Sequence, residues 1–221
     1  MTYKYLLLAT VLCTLGCNMN LNDHDPLPKK VKIHKGFSPV ELEAIDRAIK
    51  NINDVLIRPC LGFDGIIPSG TLYDEFDENG NDFEDGIHGI YKINRDTKVY
   101  QTLVYLSGEP IVDAYSTIQD MVVVTNLDKI PVLREEISQI LEDPNYENNE
   151  DKLADVELKQ SEINNLFSFF YTVVRHELGH MIGLSHNPDT DSMMYPYEQR
   201  SDHFTDIDKE FFSEIRGCEY E

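Results

Sequence analysis

Apolar residues recur at helical intervals near the start and towards the end of the chain, and at strand-like intervals between. Leu42, Ile45, Ile49, Ile52 and Leu56 form a stripe at three- and four-residue spacing, the signature of a helix with one buried face. Ser38 precedes it, with Pro39 at the first helical position and Glu41 three residues after the cap, a capping-box start. This helix is expected to stop before Pro59. Residues 31–33 predict a short first strand, residues 87–93 and 99–106 two more, the latter with alternating faces, and residues 120–125, with M-V-V-V-T, a buried strand. Residues 131–141 predict a short amphipathic helix with Leu133, Ile137, Ile140 and Leu141 on one side, and the acidic, Asn-rich residues 142–155 a surface excursion. Ser161 is then placed as the cap of a long helix. Leu166, Phe169, Phe170, Val173, Val174, Leu178 and Met181 make that helix apolar around most of its circumference, so it is expected to be buried. Thr205 caps a last helix, with Asp208 at its third position and Phe211, Phe212 and Ile215 facing inward.

The C-terminal half of the long helix carries the chemistry. Residues 176–186 read H-E-L-G-H-M-I-G-L-S-H. On a helix, His176 and His180 leave from one face a turn apart, a spacing that suits two nitrogen ligands on one zinc ion. Gly183 accepts the left-handed backbone that ends a helix and turns the chain, which brings His186 round as a third ligand. Three protein ligands and an open fourth position mark a catalytic zinc ion, not a structural one. Glu177 reaches a water at the metal without ligating it and is the candidate general base.

Charge narrows the partners. The 221 residues hold 19 Lys and Arg against 40 Asp and Glu, a formal net charge of −21. That balance excludes nucleic acid and anionic membrane surfaces as partners, since both need basic patches. A polypeptide substrate and a monomeric protein fit it. Residues 74–86, D-E-F-D-E-N-G-N-D-F-E-D-G, cluster side-chain oxygens that suit Ca2+, yet no register supplies both the central glycine and the terminal glutamate of an EF-hand loop; a solvated acidic loop is the competing reading.

The N-terminus reads as a targeting segment. Lys4 precedes an apolar run over residues 5–15, too short for a membrane span of roughly 20 residues. The run ends in T-L-G-C, which resembles a bacterial lipobox, with cleavage before Cys17 and lipid on its sulfur; Thr14 departs from the usual leucine, and an ordinary signal peptide cut nearby is the alternative. The chain divides accordingly into a signal at 1–16, a tether at 17–30 with Pro26 and Pro28, and a catalytic domain at 31–221. The expected location is the bacterial outer membrane or cell surface, otherwise the periplasm or the exterior, with membrane contact only through the lipid. In such an oxidising compartment Cys60 and Cys218 are expected to form a disulfide, two free thiols being the alternative.

Downstream of the histidines stands S-M-M-Y-P, residues 192–196. Together with H-E-x-x-H-x-x-G-x-x-H it resembles the metzincin clan of zinc endopeptidases, and within the clan the matrixins, whose methionine turn commonly ends in M-Y-P. The resemblance implies an α+β zincin fold: a mixed twisted sheet, an N-terminal helix, a buried active-site helix and a C-terminal helix, with a cleft between two subdomains. It implies one catalytic Zn2+ on His176, His180 and His186, Glu177 as general base, Met194 as the turn methionine beneath the metal with Met193 ranked second, and peptide-bond hydrolysis. A zinc-binding surface lipoprotein without proteolytic activity is the alternative. The chain departs from the family at Asn187, where matrixins often have serine, and in the length of the insertion around residues 131–155. Arg58-Pro59-Cys60 echoes, out of order, the cysteine switch that keeps matrixins latent.

Overall fold

A computed structural model describes residues 27–73, 88–107, 114–116, 121–124, 127, 129–144, 149–196 and 203–220. The signal-like run, Cys17, most of the tether and the acidic loop at 74–86 lie outside the described residues, and with them the lipid and Ca2+ expectations.

Five strands form one sheet in the order β2-β1-β3-β5-β4. They are β1 (Lys29–His34), β2 (Ile66–Leu72), β3 (His88–Ile93), β4 (Ala114–Ser116) and β5 (Met121–Val124). β2, β1, β3 and β5 run parallel, and β4 pairs antiparallel with β5 at the edge. The four residues of β5 are all buried, as expected of a strand covered on both faces. Met121 and Val123 join the core beneath the helices, while Val122 and Val124 pack on the opposite face with Leu72, Tyr91, Ile93 and Val99. Pro68 sits in the edge strand β2, where a missing N–H is tolerated. Among the described residues, no helix is long and apolar enough to cross a membrane.

Helix α1 (Pro39–Ile52) starts at the capping box read from Ser38 and Glu41. Its buried stripe includes Ala44, Ile45, Ala48, Ile49 and Ile52, but Leu42 is 40% exposed. The helical course also continues past the proline. A π-helical turn (Asn53–Ile57) leads into α2 (Arg58–Leu61), with Pro59 in its first turn. A first-turn proline forfeits no helical hydrogen bond.

Three further elements correct the sequence reading. The stretch 99–106, expected as a strand, lies in helix α3 (Lys98–Ser107). Thr97 Oγ1 accepts a hydrogen bond from the Tyr100 N–H (3.2 Å), an N-cap contact. The apolar spacing Val99, Leu103, Leu106 is helical, and the β-branched and aromatic residues between disguised it. Second, α4 (Lys129–Glu142) is longer than expected, and α5 (Asn149–Met181) takes in the end of the predicted surface excursion and runs for 33 residues. Ser161 is an interior residue of α5, not its cap. Residues 149–181 contain no proline, so nothing stops the helix from extending upstream. Lys152 Nζ donates to Leu141 O (2.7 Å) and Lys159 pairs with Glu136 (2.6 Å), tying the α4–α5 hairpin together. Third, α5 is not buried throughout. Phe169 is 38% exposed, whereas Phe170, Val174, Leu178 and Met181 are buried, so the packed part is the C-terminal portion that carries the histidines.

The two ends of the domain close on the end of α5. Strand β1 begins at Lys29, inside the stretch read as tether. Lys29 is buried and its Nζ donates to Met181 O (2.8 Å). Helix α6 (Asp206–Arg216) starts at the Thr205/Asp208 capping box, and Arg216 Nη2 donates to Ile182 O (2.9 Å). Both cations thus sit at the negative end of the α5 dipole. Phe212 is buried, with Phe211 packed at the margin of the core. Cys60 and Cys218 are disulfide-bonded, with Cα atoms 5.5 Å apart, and the Tyr220 hydroxyl donates to Leu56 O (3.0 Å). A bonded Cys60 has no thiol to offer a metal, so the cysteine-switch echo has no counterpart in this structure.

Candidate metal centre and its supporting loop

The last turns of α5 present His176, Glu177 and His180 on a rigid, packed element. The helix then ends in a Schellman turn: Gly183 N–H donates to His180 O (2.9 Å) and Leu184 N–H to Gly179 O (3.0 Å), with Gly183 at φ +99°. The turn reverses the chain and returns His186 to the helix. Nitrogen atoms of His176, His180 and His186 all lie within 4.8 Å of one another, and no other group of three or more metal-binding side chains gathers among the described residues.

The imidazoles are oriented by backbone carbonyls. His176 Nδ1 lies 2.8 Å from Met193 O and His180 Nδ1 2.7 Å from Leu184 O. A carbonyl only accepts, so each Nδ1 carries the proton and each Nε2 keeps a lone pair for a ligand. His180 Nε2 and His186 Nε2 are 3.2 Å apart. Two nitrogens on one tetrahedral zinc, each at about 2.05 Å, would be about 3.3 Å apart. The donor set therefore fits zinc in type, number and spacing.

Burial, followed by the charge of neighbouring His176, pushes the His180 pKa down to about 3. Burial likewise pushes His186 down to about 3, with His180 and His176 adding to it and Glu177 opposing. Both imidazoles are thus neutral and ready to ligate well below neutral pH. A pH dependence follows. Between about pH 6.5 and 3 the unfolded chain binds protons at these positions that the folded chain refuses, so stability falls as pH falls through that window. Metal-free protein should lose on the order of 1 kcal/mol per pH unit there from His180, and less from the partly exposed His186. Urea unfolding at pH 7 and pH 5, compared with His180→Ala, checks this; an equal pH slope in the variant would refute it.

Met194 is fully buried. A Cβ added to Gly179 would fall 2.5 Å from Met194 Sδ, so the glycine between the two helical ligands makes room for the methionine. A helix-interior glycine costs roughly 0.5–1 kcal/mol against alanine, and this contact explains its presence. Met193 is also fully buried, and its carbonyl is the one that faces His176.

The turn that carries these methionines hangs on a buried carboxylate. Asp208 accepts from the Ser192 hydroxyl (2.8 Å to each oxygen), Asn187 Nδ2 (2.8 Å), Thr205 N–H (2.8 Å) and the Thr205 hydroxyl (3.0 Å). Ser192 Oγ in turn accepts from Met194 N–H (2.8 Å), and Asn187 N–H donates to Met194 O (2.9 Å). Asn187, a departure from the family pattern, is thereby built into the support of the site: it follows the third histidine and points into this network. Sequence reasoning saw Asp208 only as a capping partner and missed Gly179. The glycine had left a signal, an interior Gly in a helix between two ligands.

A second missed residue is Ser116 at the end of β4. Its hydroxyl donates to Glu177 Oε2 at 2.6 Å. Nothing in a window around Ser116 announces this, since the partner is 61 residues away.

The segment that carries the histidines is also the one that matches a known family. The family model for Matrixin matches residues 131–216. A stretch of 40 residues is 52% identical to Matrix metalloproteinase-A of Caenorhabditis elegans, covering 18% of this chain and 8% of that protein. The archaemetzincin of Methanopyrus kandleri aligns with 86% of this chain and 96% of its own, at 13% identity and a TM-score of 0.45.

Proposed function

We propose, from the premise that its histidine cluster and matrixin-matching segment make this chain a metzincin-clan zinc peptidase, that it is an exported endopeptidase with Glu177 as general base. The observation that carries the reading is Glu177 itself: a buried carboxylate on the turn between His176 and His180, which a protein that merely held zinc would not need. Zinc bound by His176, His180 and His186 supplies Lewis acidity towards water and the scissile carbonyl. Glu177 accepts the proton of the attacking water and returns it to the leaving amine. The Nδ1 contacts of His176 and His180 keep their ring orientation fixed through the reaction. Strand β4 lies at the sheet edge beside α5, its inner side paired to β5. A peptide adding as a further strand along its outer side would pass over Glu177.

Export is supported by the charged and apolar N-terminal run, by the lipobox-like Cys17, and by a Cys60–Cys218 bond that suits an oxidising compartment. Incubating the purified chain with a peptide library, with and without a zinc chelator, tests the activity. Cleavage is expected, lost with chelator and restored by added zinc. A chain that binds zinc stoichiometrically and cuts no polypeptide would instead be the zinc-binding surface protein.

A further inference from the structure

We propose that Ser116 is a positioning residue for Glu177, fixing the carboxylate in the orientation from which it takes a proton. The inference rests on the reading of Glu177 as general base. Two features of the structure carry it. The first is the contact, a 2.6 Å bond in which the hydroxyl donates, because an ionised carboxylate only accepts. That distance is typical of a charge-assisted O–H···O⁻ bond. The second is the strand register. Ser116 pairs with Met121 and Ala114 with Val123; Met121 and Val123 belong to the core beneath the helices, and Ala114 packs against it. Residues directly paired across an antiparallel ladder share a face, so the pleat delivers Ser116 to the side where α5 passes.

A glutamate has three side-chain torsions, and burial alone does not choose among them. With Oε2 held by Ser116, the plane of the carboxylate is fixed and Oε1 is left to meet the water. Because Ser116 lies on the edge strand beside the expected substrate path, the same strand that would receive the peptide also aims the base. The serine at this position is thereby explained as a donor and not as a filler of space.

Ser116→Thr keeps the donor; Ser116→Val has the same shape without it. Both are made in the full-length, zinc-loaded chain and assayed on one peptide taken from the cleavage profile. The valine variant is expected to lose about tenfold or more in kcat, as removing a hydrogen bond to a charged group does, with KM, zinc content and Tm within error of the threonine variant. In a Glu177→Gln background the Val and Thr variants should be equal. An activity-independent readout uses metal-free protein: the infrared carboxylate stretch that disappears in Glu177→Gln should shift in Ser116→Val and stay in place in Ser116→Thr. Should valine prove unable to fold, Ser116→Ala makes the same comparison. Equal kcat for Val and Thr, a loss confined to KM, or an unshifted stretch would overturn the role of Ser116 while leaving Glu177 as base. Undiminished activity of Glu177→Gln alone would overturn both.

Discussion

Replacing Glu177 with glutamine is expected to lower kcat for peptide cleavage by about 10³-fold, within the range of about 10²–10⁴ that general acid–base groups contribute, while zinc stays bound. The substitution preserves shape and removes only the capacity to carry a proton. The amide oxygen can still accept the Ser116 hydroxyl that now donates to Oε2. The ligand cluster consists of His176, His180 and His186, so metal content should remain one zinc per chain. Stability should not fall, because a largely buried carboxylate is replaced by a neutral group that avoids the cost of desolvating charge. Metal analysis, a thermal melt and kcat on one peptide separate these effects. A glutamine variant that retained a tenth of wild-type kcat would remove Glu177 from its assigned role. Loss of zinc together with activity would mean that the carboxylate serves the metal and not the water.

Most of the centre could be read along the chain because its parts are local. Two histidines four apart, a glycine that must turn left-handed and a third histidine just beyond it lie within eleven residues, and helix geometry converts that spacing into proximity. The capping boxes at Ser38 and Thr205 are equally local and start helices where expected. What escaped was set by other segments. The stretch 99–106 has strand-like composition, yet Thr97 and the four- and three-residue apolar spacing direct it into a helix. Pro59 looked like a stop until a π-helical turn placed it in a fresh first turn. Leu42 completes a stripe on paper but faces away from the core that α1 shares with α5. Ser116 and Asp208 matter through partners far off in sequence, and no periodicity marks such a pair.

Asp208→Ala is expected to be the most damaging substitution outside the ligands themselves. The carboxylate collects the Ser192 hydroxyl, the Asn187 amide, and both the N–H and the hydroxyl of Thr205. Alanine leaves these buried donors without an acceptor, and hydrogen bonds to a charged group are worth roughly 1.5–3 kcal/mol each, without being additive. A loss of about 3–5 kcal/mol is therefore expected, a large share of the 5–15 kcal/mol that holds a typical domain. The effect should reach the metal, because the network fixes two things at once. Through Ser192 Oγ it sets the Met194 N–H and so the turn beneath the ligands. Through Asn187 it holds the residue that directly follows His186. Zinc affinity should drop by about 10–100-fold, as when outer-shell partners of metal ligands are removed. Asp206 is the control: it lies on the same helix with its side chain 95% exposed, and its change to alanine should stay within about 0.5 kcal/mol. Urea unfolding of the metal-free protein and a competition titration with a zinc chelator measure the two effects separately. If Asp208→Ala proves no worse than Asp206→Ala in either measurement, the methionine turn does not depend on α6. The third histidine would then owe its position to the Schellman turn at Gly183 alone.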